Sequence, residues 1–310
     1  MPPFSTLTMP AAYLIDASPY IFRAYFSLPD SIRDRDGRPA QAVHGFVSFL
    51  LKLIADEGPS HLAVCFDRNL STSFRNEFYP PYKAQRPLPP PELEYQVAAC
   101  EEAARALGGA TFSDDRYEAD DLIATLLSRC GKQNGDARYV VVSSDKDLAQ
   151  LVSERVSFYD FAKAERFGPA EVLAKFGVAP EQIADLLALA GDVVDNIPGV
   201  PGIGKKGAAE LLLRYPHVEG LYAKLDELTL RTDLRGARTL AAKLEAGRDL
   251  AFLSKRLATV ATDAPIAEPF DFDRHLEFHG ADPALIDPLF ERLGFKRLKE
   301  RIGRWRTVEA

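Results

Sequence analysis

The sequence predicts an α/β fold, a mostly parallel central sheet flanked by helices, followed by a region that is helical alone. Short runs rich in β-branched and aromatic residues end in an aspartate three times. They are Ala12-Tyr13-Leu14-Ile15 before Asp16, Leu62-Ala63-Val64-Cys65-Phe66 before Asp67, and Tyr139-Val140-Val141-Val142-Ser143-Ser144 before Asp145. Amphipathic stretches at 42–55, 92–107 and 120–129 separate them, and such alternation builds parallel sheets with helices on their faces. From Val178 onward the pattern changes: 180–190, 205–215, 237–246 and 283–293 read as helices with no strand between them. The expected organisation is a core over 1–190, interrupted by an aperiodic 68–91 segment, and a helical region over 191–310 that opens with a helix–hairpin at 191–215.

The bulk numbers are those of an ordinary globular chain: 310 residues, 46% hydrophobic and 27% charged. No apolar run is long enough for a membrane span, so no membrane partner is expected. The first residues lack the basic and apolar segments of a secretion signal. Met9 is expected as the natural start, with residues 1–8 dispensable. Cys65, Cys100 and Cys130 are scattered without metal-ligand spacing and suit a reducing, cytoplasmic setting. A net charge of −7 argues at first against a nucleic-acid partner. Nine of the 45 acids, however, fall in motifs suited to cations, and setting them aside leaves 36 acids against 38 basic residues.

Those nine begin with Asp16, Asp67 and Asp145 at three strand ends, where parallel sheets form their sites. Glu118, Asp120 and Asp121 open a helix; Asp145 and Asp147 would point the same way from an extended backbone. Asp192 and Asp195 would share one face of a helical turn. Singly, each reads more easily as a turn residue or helix cap. Together they sit where one rim of the sheet should be, and converging carboxylates repel unless cations neutralise them. Hard oxygen donors without His or Cys suit Mg²⁺ or Mn²⁺, and a two-ion carboxylate site suits phosphodiester hydrolysis.

Two further strings suggest a phosphate-rich partner. Gly199-Val200-Pro201-Gly202-Ile203-Gly204-Lys205-Lys206 mimics a P-loop, but Lys206 stands where Ser or Thr should be and no strand enters it. It fits better as a tight turn between helices whose amides face a backbone phosphate, with Lys205 and Lys206 adding charge. Residues 199–256 hold 11 Lys and Arg against 7 Asp and Glu. In the 68–91 segment, Phe74, Arg75, Tyr79, Tyr82, Lys83 and Arg86 interleave rings with cations, a pattern that holds single strands and is also common on ordinary surfaces.

Taken in order, Ile15-Asp16, Arg23-Ala24-Tyr25, Phe74-Arg75 with Tyr82-Lys83 and Arg86, Tyr117-Glu118-Ala119-Asp120-Asp121, Ser144-Asp145-Lys146-Asp147 and Gly191-Asp192 through Asp195-Asn196-Ile197-Pro198-Gly199 resemble the 5′-nuclease (flap endonuclease) family, which includes the N-terminal domain of bacterial DNA polymerase I. The resemblance covers about residues 12–298. It implies a PIN-like core and a helix–three-turn–helix element, and structure-selective 5′-3′ exonuclease or 5′-flap endonuclease activity with two Mg²⁺ or Mn²⁺ ions. Asp16, Asp67, Glu118, Asp120 and Asp145 would serve mainly one ion, and Asp147, Asp192 and Asp195 the other, with Asp121 in the same set. Lys83 and Arg86 would grip the scissile phosphate from a mobile arch that Arg75 leads into. Arg23, Arg75, Tyr82, Gly199, Gly202, Gly204, Lys205 and Lys206 would contact DNA, with K⁺ on hairpin carbonyls. Expected partners are DNA flaps, nicks and ends and RNA-primer hybrids, for a cytoplasmic, bacterial, monomeric protein working at the nucleoid. No polymerase segment follows before Ala310, so the expectation is a free-standing nuclease or an excised domain. Two competing readings are a flap-binding scaffold, against which the complete acid set argues, and a phosphotransferase with a nucleophilic strand-end Asp. The latter usually needs a second Asp two residues on, where this chain has Ser18.

Overall fold

The computed structural model describes residues 11–69, 72–133, 137–230 and 236–307; Met9 and residues 1–8 lie outside them. Its sheet has six strands: β1 Ala11–Asp16, β2 His61–Asp67, β3 Ala110–Asp114, β4 Arg138–Val142, β5 Val156–Asp160 and β6 Glu165–Phe167. Their order is β3-β2-β1-β4-β5-β6, every neighbouring pair parallel except β5 and β6. The helices of the first part are α1 Ser18–Ser27, α2 Gln41–Glu57, α3 Arg75–Phe78, α4 Pro91–Ala106, α5 Ala119–Gln133 and α6 Pro169–Phe176. There follow α7 Ile183–Ala190, α8 Lys205–Leu212, α9 Val218–Ala223, α10 Leu225–Thr229, α11 Ala237–Ala246, α12 Arg248–Ala258, α13 Phe272–Leu276, α14 Pro283–Leu293 and α15 Lys296–Lys299. Among the described residues no helix is long and apolar enough to cross a membrane. The three cysteines are buried and unpaired.

Strand alternation sorts the core into two layers. Ala12, Leu14, Ala63, Cys65 and Val141 lie on the side covered by α5, in the apolar cluster that runs on through α7, α8 and α12. Tyr13, Ile15, Val64, Phe66 and Val142 face α1, α2 and α4. A strand covered on both faces must be apolar throughout, which is why the central runs stood out in the sequence. β1 pairs with β2 on one side and β4 on the other, so the chain leaves it in opposite directions. The crevice beyond the carboxyl ends of those strands is where α/β sheets bind ligands.

Several elements depart from expectation. β3, β5, β6, α1 and α6 were not legible as strands or helices. The expected 180–190 helix divides into a 3₁₀ turn at Pro180–Gln182 and α7. The helical region does not stay together either: Leu289, Phe290, Leu293, Leu298 and Ile302 of α14, α15 and the tail pack on the α2–α4 side of the sheet. α14 is set up locally, with Asp282 accepting from Ala284 N at 2.9 Å, Pro283 in the first turn and Gly294 left-handed at its end.

Candidate metal centre and nucleic-acid interface

Asp16 and Asp67 reach the crevice because β1 and β2 end there, and both are pinned. Ser143 Oγ donates to Asp16 Oδ2 at 2.7 Å and Ser18 N to its Oδ1 at 3.1 Å. Ser18 Oγ donates to Asp67 Oδ2 at 2.5 Å, and Ala119 N to Asp67 Oδ1 at 2.7 Å. Ser18 and Ser143 were not singled out in the sequence; their signal is proximity to a strand-end acid. Asp145 follows β4 and caps a 3₁₀ helix, Lys146–Leu151, accepting from Asp147 N at 2.9 Å. Asp145 and Asp147 are therefore brought together by a capped turn and not by extended backbone. Asp192 and Asp195 likewise lie on a reverse turn closed by the Asp192–Ile197 bridge, not on a helix. Asp192 Oδ1 accepts from Val194 N at 2.7 Å.

Eight of the nine acids line one cavity of about 510 Å³: Asp16, Asp67, Glu118, Asp120, Asp145, Asp147, Asp192 and Asp195. Lys83, Arg86, Lys146 and Lys205 are the basic side chains on its walls. Asp121 is the exception. It turns into the core, 0% exposed, and its two oxygens meet Arg75 Nη1 and Nη2, each at 2.8 Å. Arg75 is itself buried and further donates to Glu118 at 2.7 Å, Leu257 O at 2.8 Å and Thr259 O at 3.2 Å. It therefore presents no free donor to DNA, contrary to expectation. Tyr82, also expected on DNA, is buried, its hydroxyl donating to Glu118 at 3.2 Å and Asp195 at 3.4 Å.

Lys83 and Arg86 stand on the cavity wall, paired with its acids. Lys83 Nζ pairs with Glu118, and with Asp195 at 3.5 Å, while Arg86 pairs with Asp195. Lys83 has a left-handed backbone, φ 54, and donates its amide to Asp195 O at 3.1 Å. Such strain in a non-glycine residue is a mark of functional sites. Gln85 Nε2 donates to Val193 O at 3.1 Å and Val194 O at 2.8 Å, and Asn196 Nδ2 to Pro81 O at 2.7 Å. The 81–86 stretch and the Asp192–Asp195 turn thus form one clasped unit, a feature the sequence did not disclose.

The electrostatics follow from so many carboxylates in one buried cavity. Burial, then the neighbouring Asp67, pushes the Asp16 carboxyl well above its ordinary range. Asp120 is raised by burial and by Asp16 and Asp145; Asp67 by burial and Glu118. Asp147 is raised from 3.8 to about 7 by burial, Asp145, Asp192 and Asp195. Burial works on Glu118 too, but Lys83 and Arg75 outweigh it and hold that carboxyl low. An acid-lined cavity with too few cations fits bound divalent ions. Among the described residues no three such side chains close on one point as a protein-only cage.

Beside the cavity, α7 and α8 are joined by the glycine hairpin. Gly199 and Gly202 are left-handed, φ 61 and φ 79, and Gly204 caps α8. Gly202, Gly204, Lys205 and Lys206 are exposed, as is Arg23 on α1, whereas Gly199 is buried.

This crevice, its acids and the adjoining hairpin define a class. The N-terminal resolvase-like domain of 5′-3′ exonucleases matches residues 11–177, and the C-terminal SAM fold of 5′-3′ exonucleases matches residues 178–283. The chain belongs to the 5′-3′ exonuclease family. DNA polymerase I of Bacillus caldotenax is 39% identical over 294 residues, 93% of this chain and 32% of the polymerase. DNA polymerase I of Pseudomonas aeruginosa is 42% identical over 259 residues, 83% of this chain and 28% of that one. The chain therefore spans about a third of the length of these relatives. Among solved structures, T5 5′-exonuclease with bound divalent metal ions (zinc) matches with a TM-score of 0.63 at 24% identity, over 80% of this chain and 89% of that one. The catalytic core of Rad2 in complex with DNA substrate matches with a TM-score of 0.59 at 15% identity, over 94% and 91%. At these identities the fold is what is shared.

Proposed function

We propose that this chain is a structure-selective 5′-3′ exonuclease and 5′-flap endonuclease that hydrolyses DNA phosphodiester bonds with two Mg²⁺ or Mn²⁺ ions. The observation that carries the reading is the convergence of eight carboxylates from five segments on one cavity beside an exposed glycine hairpin. When bound, the ions supply an activated water and stabilise charge in an in-line displacement. Asp16, Asp67, Glu118, Asp120 and Asp145 are proposed to hold one, and Asp147, Asp192 and Asp195 the other. Asp121 is left out, because its oxygens are taken by Arg75.

Lys83 and Arg86 now neutralise Glu118 and Asp195. Both stand on the wall of the cavity, where they would meet the scissile phosphate and Lys83 would stabilise developing charge. The exposed hairpin amides at Gly202 and Gly204, with Lys205 and Lys206, hold the duplex backbone, with K⁺ on the carbonyls and Arg23 as an outlying contact. Gly199 shapes this turn from within. Contacts of this kind read backbone and shape, so RNA-primer hybrids are admitted as substrates. The protein is proposed to act as a cytoplasmic monomer.

The test is a 5′-flap duplex labelled at its 5′ end, incubated with wild type and Asp145→Asn, each with Mg²⁺ and with EDTA. Cleavage near the junction by wild type with Mg²⁺ alone supports the reading. Binding without cleavage, in Mn²⁺ as well, replaces it with a flap-binding scaffold.

A further inference from the structure

The turn carrying Asp192 and Asp195 and the hairpin after it are closed by one backbone knot. Asp192 N donates to Ile197 O at 2.9 Å and Ile197 N to Asp192 O at 2.7 Å. Behind that bridge Gly191 and Gly199 lie against each other, both left-handed, and a Cβ on Gly199 would fall 2.3 Å from Gly191 N. Gly191 N donates to Leu187 O and Val200 N to Leu189 O, each at 2.8 Å, which ties the knot to α7.

A buried side chain of the neighbouring helix α12 ties to it. Ser254, 0% exposed, accepts the Gly199 amide at 2.9 Å. The next residue, Lys255, reaches elsewhere, pairing with Asp185 of α7 and with Glu219 at 2.7 Å each. One stretch of α12 therefore fixes α7 through Lys255 and the knot through Ser254. Gly199 is buried, its amide is donated to Ser254 Oγ, and buried amides are rarely left unpaired.

We propose that Ser254 is a positioning residue for the nuclease site. Its hydroxyl sets the Asp192–Asp195 carboxylates and the hairpin amides against α12 together. This rests on the function proposed above, in which those carboxylates hold a cation and the hairpin holds duplex. It predicts that one buried hydroxyl, touching neither substrate nor ion, moves ion requirement and duplex affinity in step.

The experiment compares wild type, Ser254→Ala, Ser254→Thr and Ile286→Val, a buried change on the other face of the sheet. It measures melting temperature, the Mg²⁺ concentration for half-maximal flap cleavage, kcat and KM, and duplex affinity in EDTA, where nothing is cut. Ser254→Ala should raise the half-saturating Mg²⁺ and weaken duplex binding, each by about tenfold, the scale of one buried hydrogen bond. Ser254→Thr should restore both, and Ile286→Val should lower melting temperature while changing neither. Wild-type ion requirement and duplex affinity in folded Ser254→Ala would overturn the proposal. Should Ser254→Ala fail to fold, Ser254→Cys, similar in volume but a weaker acceptor, takes its place under the same criteria. If wild type itself does not cut, it is the proposed function that fails.

Discussion

Arg75→Ala is expected to damage the fold and leave DNA recognition in place. The guanidinium makes five hydrogen bonds, to Glu118, both oxygens of Asp121, Leu257 O and Thr259 O, between 2.7 and 3.2 Å. Truncation leaves the Asp121 carboxylate in a site with no solvent exposure, with only the Glu118 and Ala261 amides to satisfy it. Removing one partner of a buried pair costs about 3–5 kcal/mol, because the other charge stays behind uncompensated. For a chain of this size that is a fall in melting temperature of about 5–8 °C. The assay is urea unfolding followed by far-UV dichroism, beside duplex binding at several salt concentrations on the folded variant. A second arm pairs Arg75→Met with Asp121→Leu, which removes both charges and should recover much of the loss. Wild-type unfolding for Arg75→Ala, with weakened binding and a salt dependence shallower by about one charge, would refute the burial argument and return Arg75 to the DNA surface.

Three other outcomes follow from the same geometry. Asp147, at about 7 in the fold against an ordinary 3.8, adds a destabilising contribution absent below pH 4, growing as pH rises and complete above pH 7. The rise in melting temperature on adding Mg²⁺ should therefore be larger at pH 8 than at pH 5; an equal rise at both would remove the carboxylates as its source. Lys83→Ala should lower kcat about 10²-fold with a smaller change in duplex affinity, measured by single-turnover cleavage against binding in EDTA. Lys205→Ala and Lys206→Ala should each weaken duplex binding regardless of sequence and reduce the slope of log affinity against log salt by about one.

The strand-end aspartates were legible because central parallel strands must be apolar on both faces, so an acid after such a run stands out. Given a parallel sheet, those acids share one rim without further information. The edges were illegible for the opposite reason: β3 is half-buried along its whole length and β6 has three residues. Asp120 and Asp121 show a second limit. Neighbours on a helix point about 100° apart, so one entered the cavity and the other the core. Which did which depended on Arg75, 46 positions away.

The ring-and-cation string at 74–86 shows why local pattern misassigned part of this surface. Read alone, it is a set of equivalent stacking and phosphate contacts. In the fold its members divide into anchors and presenters. Arg75 and Tyr82 are 2% and 4% exposed, and their polar atoms meet Glu118, Asp121 and Asp195. Those anchors fix the turn that follows, so Lys83 can be held at φ 54 with its ammonium over the acids, and Arg86 can stand half-exposed at the rim. A flexible loop of the same composition would not hold one ammonium group against Glu118 and Asp195. Buried cations and rings at 75 and 82 are what convert a basic surface into an aimed one.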